Sequence, residues 1–273
     1  MTADNDASAE TWTGSGLTQS DLMAKDTVLV LDEADNVIGS ASKKESHVFD
    51  DQTQRGILHR AFSVFLFNER GELLLQQRAA SKITFPNVWT NTCCSHPLHG
   101  LEPGEVDGPE DVKDGSVKGV KHAAVRKLWH ELGIPAEQVP IEKFKFLTRL
   151  HYWAADTVTH GKESPWGEHE IDYVLFIQVE QSKLTIKPHP DEVDAIKWVS
   201  KEQLIEEMKV GLWSPWFRLI VNKWVIPLWW DDLKMTLETD IHCDYENIHR
   251  FDPPEEHMGG GGNAGPWLGK LEM

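Results

Sequence analysis

The stretch from residue 61 to residue 78 constrains the fold more than any other part of the chain. Residues 61–67 alternate as a strand does, Asn68-Glu-Arg-Gly71 is a turn, and residues 72–78 return to extended character. Two strands joined by a short turn make a hairpin, so the chain must contain antiparallel sheet. Further strands are predicted at 27–31, ended by the turn-like Asp35-Asn36, and at 143–154, 170–180 and 195–199. Between them Val117, Val120, Ala124, Leu128 and Leu132 recur at helical spacing, with Gly133 where a C-cap belongs. Two later helices are marked by their starts: Ser200 with Gln203 makes a capping box, and Ser214 precedes Pro215 at a first helical position. Mixed in this way, the elements predict an α+β fold, a central mixed β-sheet flanked by helices.

Residues 1–25, rich in Asp, Ser, Thr and Gly, read as a disordered N-terminal arm. The working domain is expected over 26–240, and 241–273 as a C-terminal extension ending in a flexible tail around Gly259 to Gly262. The glycine-rich, acidic segment 99–118 reads as a surface insertion without catalytic consequence. The longest apolar stretch, Trp213 to Trp230, is broken by Arg218, Asn222, Lys223 and Pro227, so no membrane span is expected. The first 20 residues have neither the apolar core of a secretory signal nor the Arg-rich character of a transit peptide. Three cysteines without a CxxC pair indicate a reducing compartment, cytoplasm or plastid stroma. A net charge of −17 argues against nucleic acid or an anionic membrane as partner. An anionic small molecule would need positive potential made locally, by metal ions and a few placed cations.

Chemistry-bearing residues gather in two short runs. In Thr90-Asn-Thr-Cys-Cys-Ser-His-Pro97 the Cys94 thiol stands two residues from the His96 imidazole, which in a strand puts both on one face. On its own such a pair is more often a small core residue beside a turn histidine. Glu168-His-Glu170 enters the strand expected to follow it with both carboxylates on one face, where they repel unless a cation or a shared proton holds them. With His47, His59 and His96 the two glutamates form an N/O donor set suited to a divalent metal.

Four motifs, in order and in register over about residues 26–235, carry a family resemblance: Leu58-His-Arg-Ala-Phe-Ser-Val-Phe-Leu-Phe67, Trp89-Thr-Asn-Thr-Cys-Cys-Ser-His-Pro-Leu98, Trp166-Gly-Glu-His-Glu-Ile-Asp-Tyr173 and Trp213-Ser-Pro-Trp-Phe217. The chain resembles type I isopentenyl diphosphate isomerase. That resemblance implies a Nudix-like fold and the interconversion of isopentenyl and dimethylallyl diphosphate, a step of isoprenoid precursor synthesis. It implies Cys94 and Glu170 as the proton-transfer pair, Tyr152 as a phenol beside the acid and Trp216 as the indole that stabilises the carbocation. His47, His59, His96, Glu168 and Glu170 match the family's metal ligands, for Mg2+, Mn2+ or Zn2+. Glu131, in Trp129-His-Glu-Leu-Gly133, matches the carboxylate that helps hold a second ion, Mg2+, on the diphosphate. Lys43, Arg78 and Lys82 match the diphosphate contacts, with Ser95 and Lys127 as additions. The expected ligand is a small isoprenyl diphosphate, bound by a monomer.

The reaction requires protonating an unactivated alkene at one carbon and removing a proton at another, so an acid and an acceptor must both reach the substrate. The cation between them needs stabilisation without a nucleophile that would trap it, which an indole face supplies, worth roughly 2 kcal/mol when desolvated. One departure separates the chain from hydrolases of the same fold. With Arg126 and Gly133-Ile134 aligned to the end of their glutamate-rich box, Lys127 and His130 stand where glutamates belong. Val112 and Lys118 take the upstream Gly and Glu places, and only Glu131 survives, which disfavours pyrophosphohydrolase activity. Two rivals are a hydrolase of nucleotide or prenyl diphosphates, which would release phosphate, and a binding protein that has lost its catalysis, against which Cys94, Glu170 and Trp216 weigh.

Overall fold

The chain is described by a computed structural model over residues 19–49, 55–161 and 163–251. In chain order its helices and strands are α1 (Gln19–Lys25), β1 (Thr27–Leu31), β2 (Val37–Ser42), α2 (Lys43–His47), β3 (His59–Phe67), β4 (Leu73–Arg78), β5 (Trp89–Thr90) and β6 (Cys93–Ser95). Then follow α3 (Pro109–Lys113), α4 (Lys118–Leu132), β7 (Lys145–Ala155), α5 (Thr157–His160), β8 (Gly167–Gln178), β9 (Val193–Val199), α6 (Lys201–Glu207), α7 (Pro215–Ile220), α8 (Leu233–Glu238) and β10 (Ile248–Phe251). The α+β arrangement with a central mixed sheet is the one expected: β10-β7-β8-β3-β1-β2 form its spine, and β4, β5, β6 and β9 branch from it.

At the centre β3 and β8 run parallel over nine paired residues, from His59↔Glu170 to Phe67↔Gln178. Every residue of β3 is buried, as a central parallel strand covered on both faces must be. Alternate side chains feed two cores. Phe65, Phe67, Val174 and Phe176 pack with Trp213, Phe217, Val221 and Trp229 on one face. Phe62, Val64, Leu66, Leu175 and Ile177 pack with Val120, Ala124, Leu128 and Leu132 of α4 on the other. Each such side chain contributes roughly 1.5–3 kcal/mol on burial, so the central strands hold both layers together.

The hairpin at 61–78 turns where expected, yet its strands pair only at Phe67↔Leu73. Beyond the turn β4 leaves β3 for β9 and β5. The gap is closed by one side chain: Thr92 Oγ1 accepts from Leu66 N at 2.9 Å and donates to Leu74 O at 2.6 Å. A side-chain hydroxyl thus replaces ladder bonds that the diverging strands cannot make with each other.

The 99–118 segment differs from a mere surface insertion, because Glu105 and Asp107 within it are buried. Asp107 accepts from Gly119 N at 2.7 Å and Val120 N at 2.8 Å, satisfying the free amides at the start of α4, whose N-cap residue Val117 makes no side-chain bond of its own. Glu105 takes Arg126 Nε at 2.6 Å and Leu98 N at 2.8 Å. Gly119 permits this approach, since a Cβ there would lie 2.6 Å from the Glu105 carbonyl carbon. At the other end of α4 Gly133 has φ 61, the left-handed C-cap its position predicts.

The capping box at Ser200 and Gln203 forms as expected, and Pro215 opens α7. α7 runs on as a π-helix, Val221–Trp229, with Pro227 inside it. No helix among the described residues is long and apolar enough to cross a membrane. Of the arm expected over 1–25, residues 19–25 are helical and 1–18 lie outside the described residues. Of the extension expected over 241–273, Ile248–Phe251 joins the sheet beside β7 in parallel, and 252–273 lie outside the described residues. Its Ile-His-Arg-Phe run is a short edge strand without clean apolar alternation, so pairing is held by backbone hydrogen bonds that leave little trace in sequence.

The Thr92 bridge gives a measurable expectation. Thr92→Val keeps the shape but leaves the buried Leu66 amide and Leu74 carbonyl unpaired, which costs about 2–4 kcal/mol. Urea denaturation checks it, with a shifted midpoint at unchanged slope as the expected result.

Candidate active site

Three adjacent strands bring the chemistry to one line. His59 of β3 stands opposite Glu170 of β8, and Glu170 stands opposite Tyr152 of β7. Opposite residues in neighbouring strands share a face, so an imidazole, a carboxylate and a phenol meet there by register alone. Two residues earlier on β8, Glu168 faces Ala154 across the ladder, leaving room beside it for His47 at the end of α2. β6 pairs antiparallel with β3, with Cys94 opposite Ser63, four residues from His59 and on the same face. His96 follows β6, and Trp216 lies in the first turn of α7.

His47, His59, His96, Glu168 and Glu170 are all buried and each offers a ligand atom within 4.8 Å of every other. Their hydrogen bonds orient them. His47 Nδ1 lies 2.6 Å from Lys43 O and His59 Nδ1 2.8 Å from Ile57 O; facing a carbonyl, each Nδ1 must carry its proton. Each Nε2 is then the ring atom turned toward the carboxylates, His47 Nε2 toward Glu168 and His59 Nε2 toward Glu170. Both Nε2 atoms are buried without a hydrogen bond, as is Glu168 Oε2. His47 Nε2 lies 2.7 Å from that oxygen, so the ring and the carboxylate converge on a common point. Burial, with Lys43 and the two neighbouring imidazoles, pushes His96 well below the ordinary histidine range; its Nε2 lies 2.8 Å from Glu170 Oε1 and its Nδ1 is buried without a partner. Three imidazoles and two carboxylates buried around one point, several of their polar atoms without a hydrogen bond, fit a cation at their centre.

One pocket is walled by Lys43, Arg78, Lys82, Ser95 and Glu131 together with Cys94, Tyr152 and Trp216, and His47, His96, Glu168 and Glu170 line it too. Burial pushes the Cys94 thiol up to about 12, opposed by Arg78, so the sulfur keeps its proton at neutral pH. Burial likewise raises Glu170, but His59 and the Tyr152 hydroxyl, which donates to Oε2, outweigh it and hold the carboxyl below its usual range. Glu168 is held low in the same way, with His47 overcoming burial.

Arg78 is fixed by its donors to Phe85 O at 3.0 Å and Thr84 O at 2.8 Å, which leaves Nη1 3.8 Å from Cys94 Sγ. Its guanidinium carbon lies 5.6 Å from the centroid of the Trp216 ring. Lys82 pairs with the buried Glu192. Glu131 accepts from Gln76 Nε2 at 3.0 Å and pairs with Lys127 at 3.2 Å; Lys127 and Lys82 hold it below its usual range against burial. Burial, then the neighbouring Lys82 and Lys127, lower Lys43 to about 8. In a chain of net charge −17, these cations make the local positive potential an anion requires.

Lys127 stands apart from the other expected contacts. It does not line the pocket, and its ammonium lies 2.8 Å from His130 Nδ1 as well as on Glu131. Conversely Asp172, to which no role attached in the sequence, does line it. Ser63 Oγ donates to its Oδ2 at 2.8 Å, its Oδ1 has no partner, and burial beside Glu170 raises its pKa well above the ordinary value. The signal was there: Asp172 continues the alternate-residue series Glu168, Glu170 on one face of β8.

Comparison with known proteins now bears on this geometry. Residues 57–218 match the NUDIX domain. The chain is 46% identical to Isopentenyl-diphosphate Delta-isomerase II of Clarkia breweri, over 87% of this chain and 79% of that protein. It is 43% identical to Isopentenyl-diphosphate Delta-isomerase 1 of Bos taurus, over 85% of this chain and 95% of that one. It is 44% identical to Isopentenyl-diphosphate Delta-isomerase I, chloroplastic, of Arabidopsis thaliana, over 92% of this chain and 80% of that one. With a NUDIX fold and this identity across most of its length, the chain belongs to the isopentenyl-diphosphate delta-isomerase family.

Proposed function

We propose that this pocket interconverts isopentenyl and dimethylallyl diphosphate by protonation and deprotonation through a tertiary carbocation. One observation carries the reading: the Cys94 thiol, the Glu170 carboxylate and the Trp216 indole line a single pocket that also presents Lys43, Arg78 and Lys82. One member of the Cys94–Glu170 pair gives a proton to the alkene and the other takes one from the neighbouring carbon, exchanging roles with the direction of the reaction. Each turnover leaves the proton on the opposite partner. The pair therefore resets through solvent, and solvent hydrogen enters the product.

Tyr152 holds Glu170 in place by its hydrogen bond to Oε2, and its own proton stays on oxygen because burial and the charge of Glu170 raise it well above the phenol range. Trp216, 3% exposed, offers the cation a π-face that cannot trap it. Lys43, Arg78, Lys82 and Ser95 would hold the diphosphate at the polar side of the pocket. His47, His59, His96, Glu168 and Glu170 would hold one divalent ion, Mg2+, Mn2+ or Zn2+, and Glu131 would help hold a Mg2+ on the diphosphate. When bound, the first ion supplies positive charge that fixes the geometry of Glu170 and alters its proton affinity. Nothing in this chemistry calls on a second subunit, and we read the enzyme as a monomer acting in cytoplasm or plastid stroma.

Replacement of the pair tests the assignment. Cys94→Ala and Glu170→Gln should each lower deuterium uptake from solvent into product by about 10³-fold or more, with circular dichroism unchanged. Exchange at the wild-type rate in either folded variant would refute it. The metal centre is checked separately, by stripping with chelator and restoring one divalent ion at a time. An ion at 100 times its Kd should stabilise the fold by about 2.7 kcal/mol. Thermal denaturation of a His47→Ala/His59→Ala variant should show no such gain, and elemental analysis should find its bound ion lost.

A further inference from the structure

We infer that Asn91 is a positioning residue for the reaction, one buried amide that fixes the Trp216 indole against the strand carrying Cys94 and polarises that indole toward a cation. The inference rests on the reading of Trp216 as the wall that stabilises the carbocation. Asn91 is fully buried and lies outside the pocket lining, so it acts only through its neighbours.

Its hydrogen bonds admit one arrangement. Nδ2 donates to Cys93 O at 2.7 Å and to Val64 O at 3.2 Å, two carbonyls that can only accept. Oδ1 therefore faces the other way, and there it accepts from Trp216 Nε1 at 3.2 Å and from Thr90 Oγ1 at 2.8 Å. Because the Thr90 hydroxyl proton is committed to Asn91, Thr90 Oγ1 must accept from Ser214 Oγ, 2.8 Å away. A chain of donors thus runs from Ser214 through Thr90 to Asn91, meeting the indole N–H at the same oxygen.

Ser214 shows what this arrangement displaces. It occupies the N-cap of α7 with extended backbone, the position where a serine hydroxyl ordinarily accepts from the first turn, and it makes no such bond. Its hydroxyl is directed to Thr90 instead, while its backbone amide donates to Trp89 O at 3.0 Å. Trp89 N in turn donates to Leu212 O at 2.9 Å. The helix that carries Trp216 is therefore tied to β5 and, through Asn91, to the residue adjoining Cys94.

Two consequences follow for a cation in the pocket. Phe85 packs edge-on to the indole at a centroid distance of 5.5 Å and an angle of 89°, so with Nε1 pinned as well the ring plane has no freedom to turn. An indole whose N–H is donated to an oxygen also carries more electron density in its ring, which strengthens attraction for a cation on its face. A neutral substrate gains little from that density. The cation gains more, so the effect belongs to the transition state and to kcat.

The test compares metal-loaded enzyme in five forms: wild type, Asn91→Ala, Trp216 replaced by its benzothiophene analogue (sulfur in place of N–H), the two changes together, and Trp216→Ala. Asn91→Ala should lower kcat about 10- to 100-fold with KM within about threefold of wild type. The benzothiophene alone should lower kcat as well, but cost nothing further once Asn91 is gone. Affinity for a substrate-shaped diphosphate with a tertiary ammonium nitrogen in place of the cationic carbon should fall with kcat, while affinity for inorganic diphosphate stays unchanged. Losses that multiply, a loss confined to KM, or undiminished ammonium affinity would overturn the inference. If Asn91→Ala does not fold, the benzothiophene enzyme carries the test alone: kcat and ammonium affinity equal to wild type refute it. A Trp216→Ala enzyme with wild-type kcat is a different failure, that of the cation-wall reading itself.

Discussion

The parallel pairing of β3 with β8 is the constraint on which the site depends. Its register sets His59 beside Glu170, and the antiparallel pairing of β7 with β8 sets Tyr152 on the other side of the same glutamate. A slip of one residue would send Glu168 and Glu170 to the α4 face and bring Ile171 into the pocket, because strand side chains alternate. The aromatic and aliphatic residues farther along both strands forbid that slip, since it would exchange the two packed cores at once. The packing that stabilises the sheet is thus also what aligns the donors.

That alignment is costly by itself. Five buried side chains present lone pairs or carboxylate oxygens to one another with several atoms unpaired, which folding alone would not favour. A bound cation would turn the same arrangement from a liability into a ligand set, linking stability to metal binding. On the opposite wall Lys82 is in turn held by Glu192, and behind that wall Lys127 pairs with Glu131, which keeps a basic surface ordered inside an acidic protein. The residues next to Cys94 are held as firmly, as Arg78 on the Thr84 and Phe85 carbonyls shows.

Where sequence and structure differ, long-range pairing is the cause. Residues 61–78 announce a hairpin, and the turn forms, but a two-strand pattern cannot show that β4 finds better partners in β9 and β5 than in β3. The acidic 99–118 segment looks like solvent-exposed loop because its composition is polar. Its two buried carboxylates serve α4 and Arg126, partners that only the folded chain brings within reach. Lys127 sits among expected anion contacts by position, yet the helix directs it to Glu131 one turn along. Asp172 shows the reverse: its periodicity was legible, and only its neighbours, Ser63 and Glu170, give it meaning.

By itself the sequence determined the strands near 27–31, 61–67, 72–78, 143–154, 170–180 and 195–199, the long helix α4 with its Gly133 cap, the helix starts at Ser200 and Pro215, the faces on which Glu168 and Glu170 lie, and the motifs that mark the family. These are local matters of period, propensity and residue identity. Tertiary structure alone decided that histidines from α2, β3 and the end of β6 share one centre with two glutamates of β8, and that Asn91 ties an indole 125 residues away to the strand of Cys94. Strand register and helix docking are set by the summed burial of two cores, and no short window of sequence contains that sum.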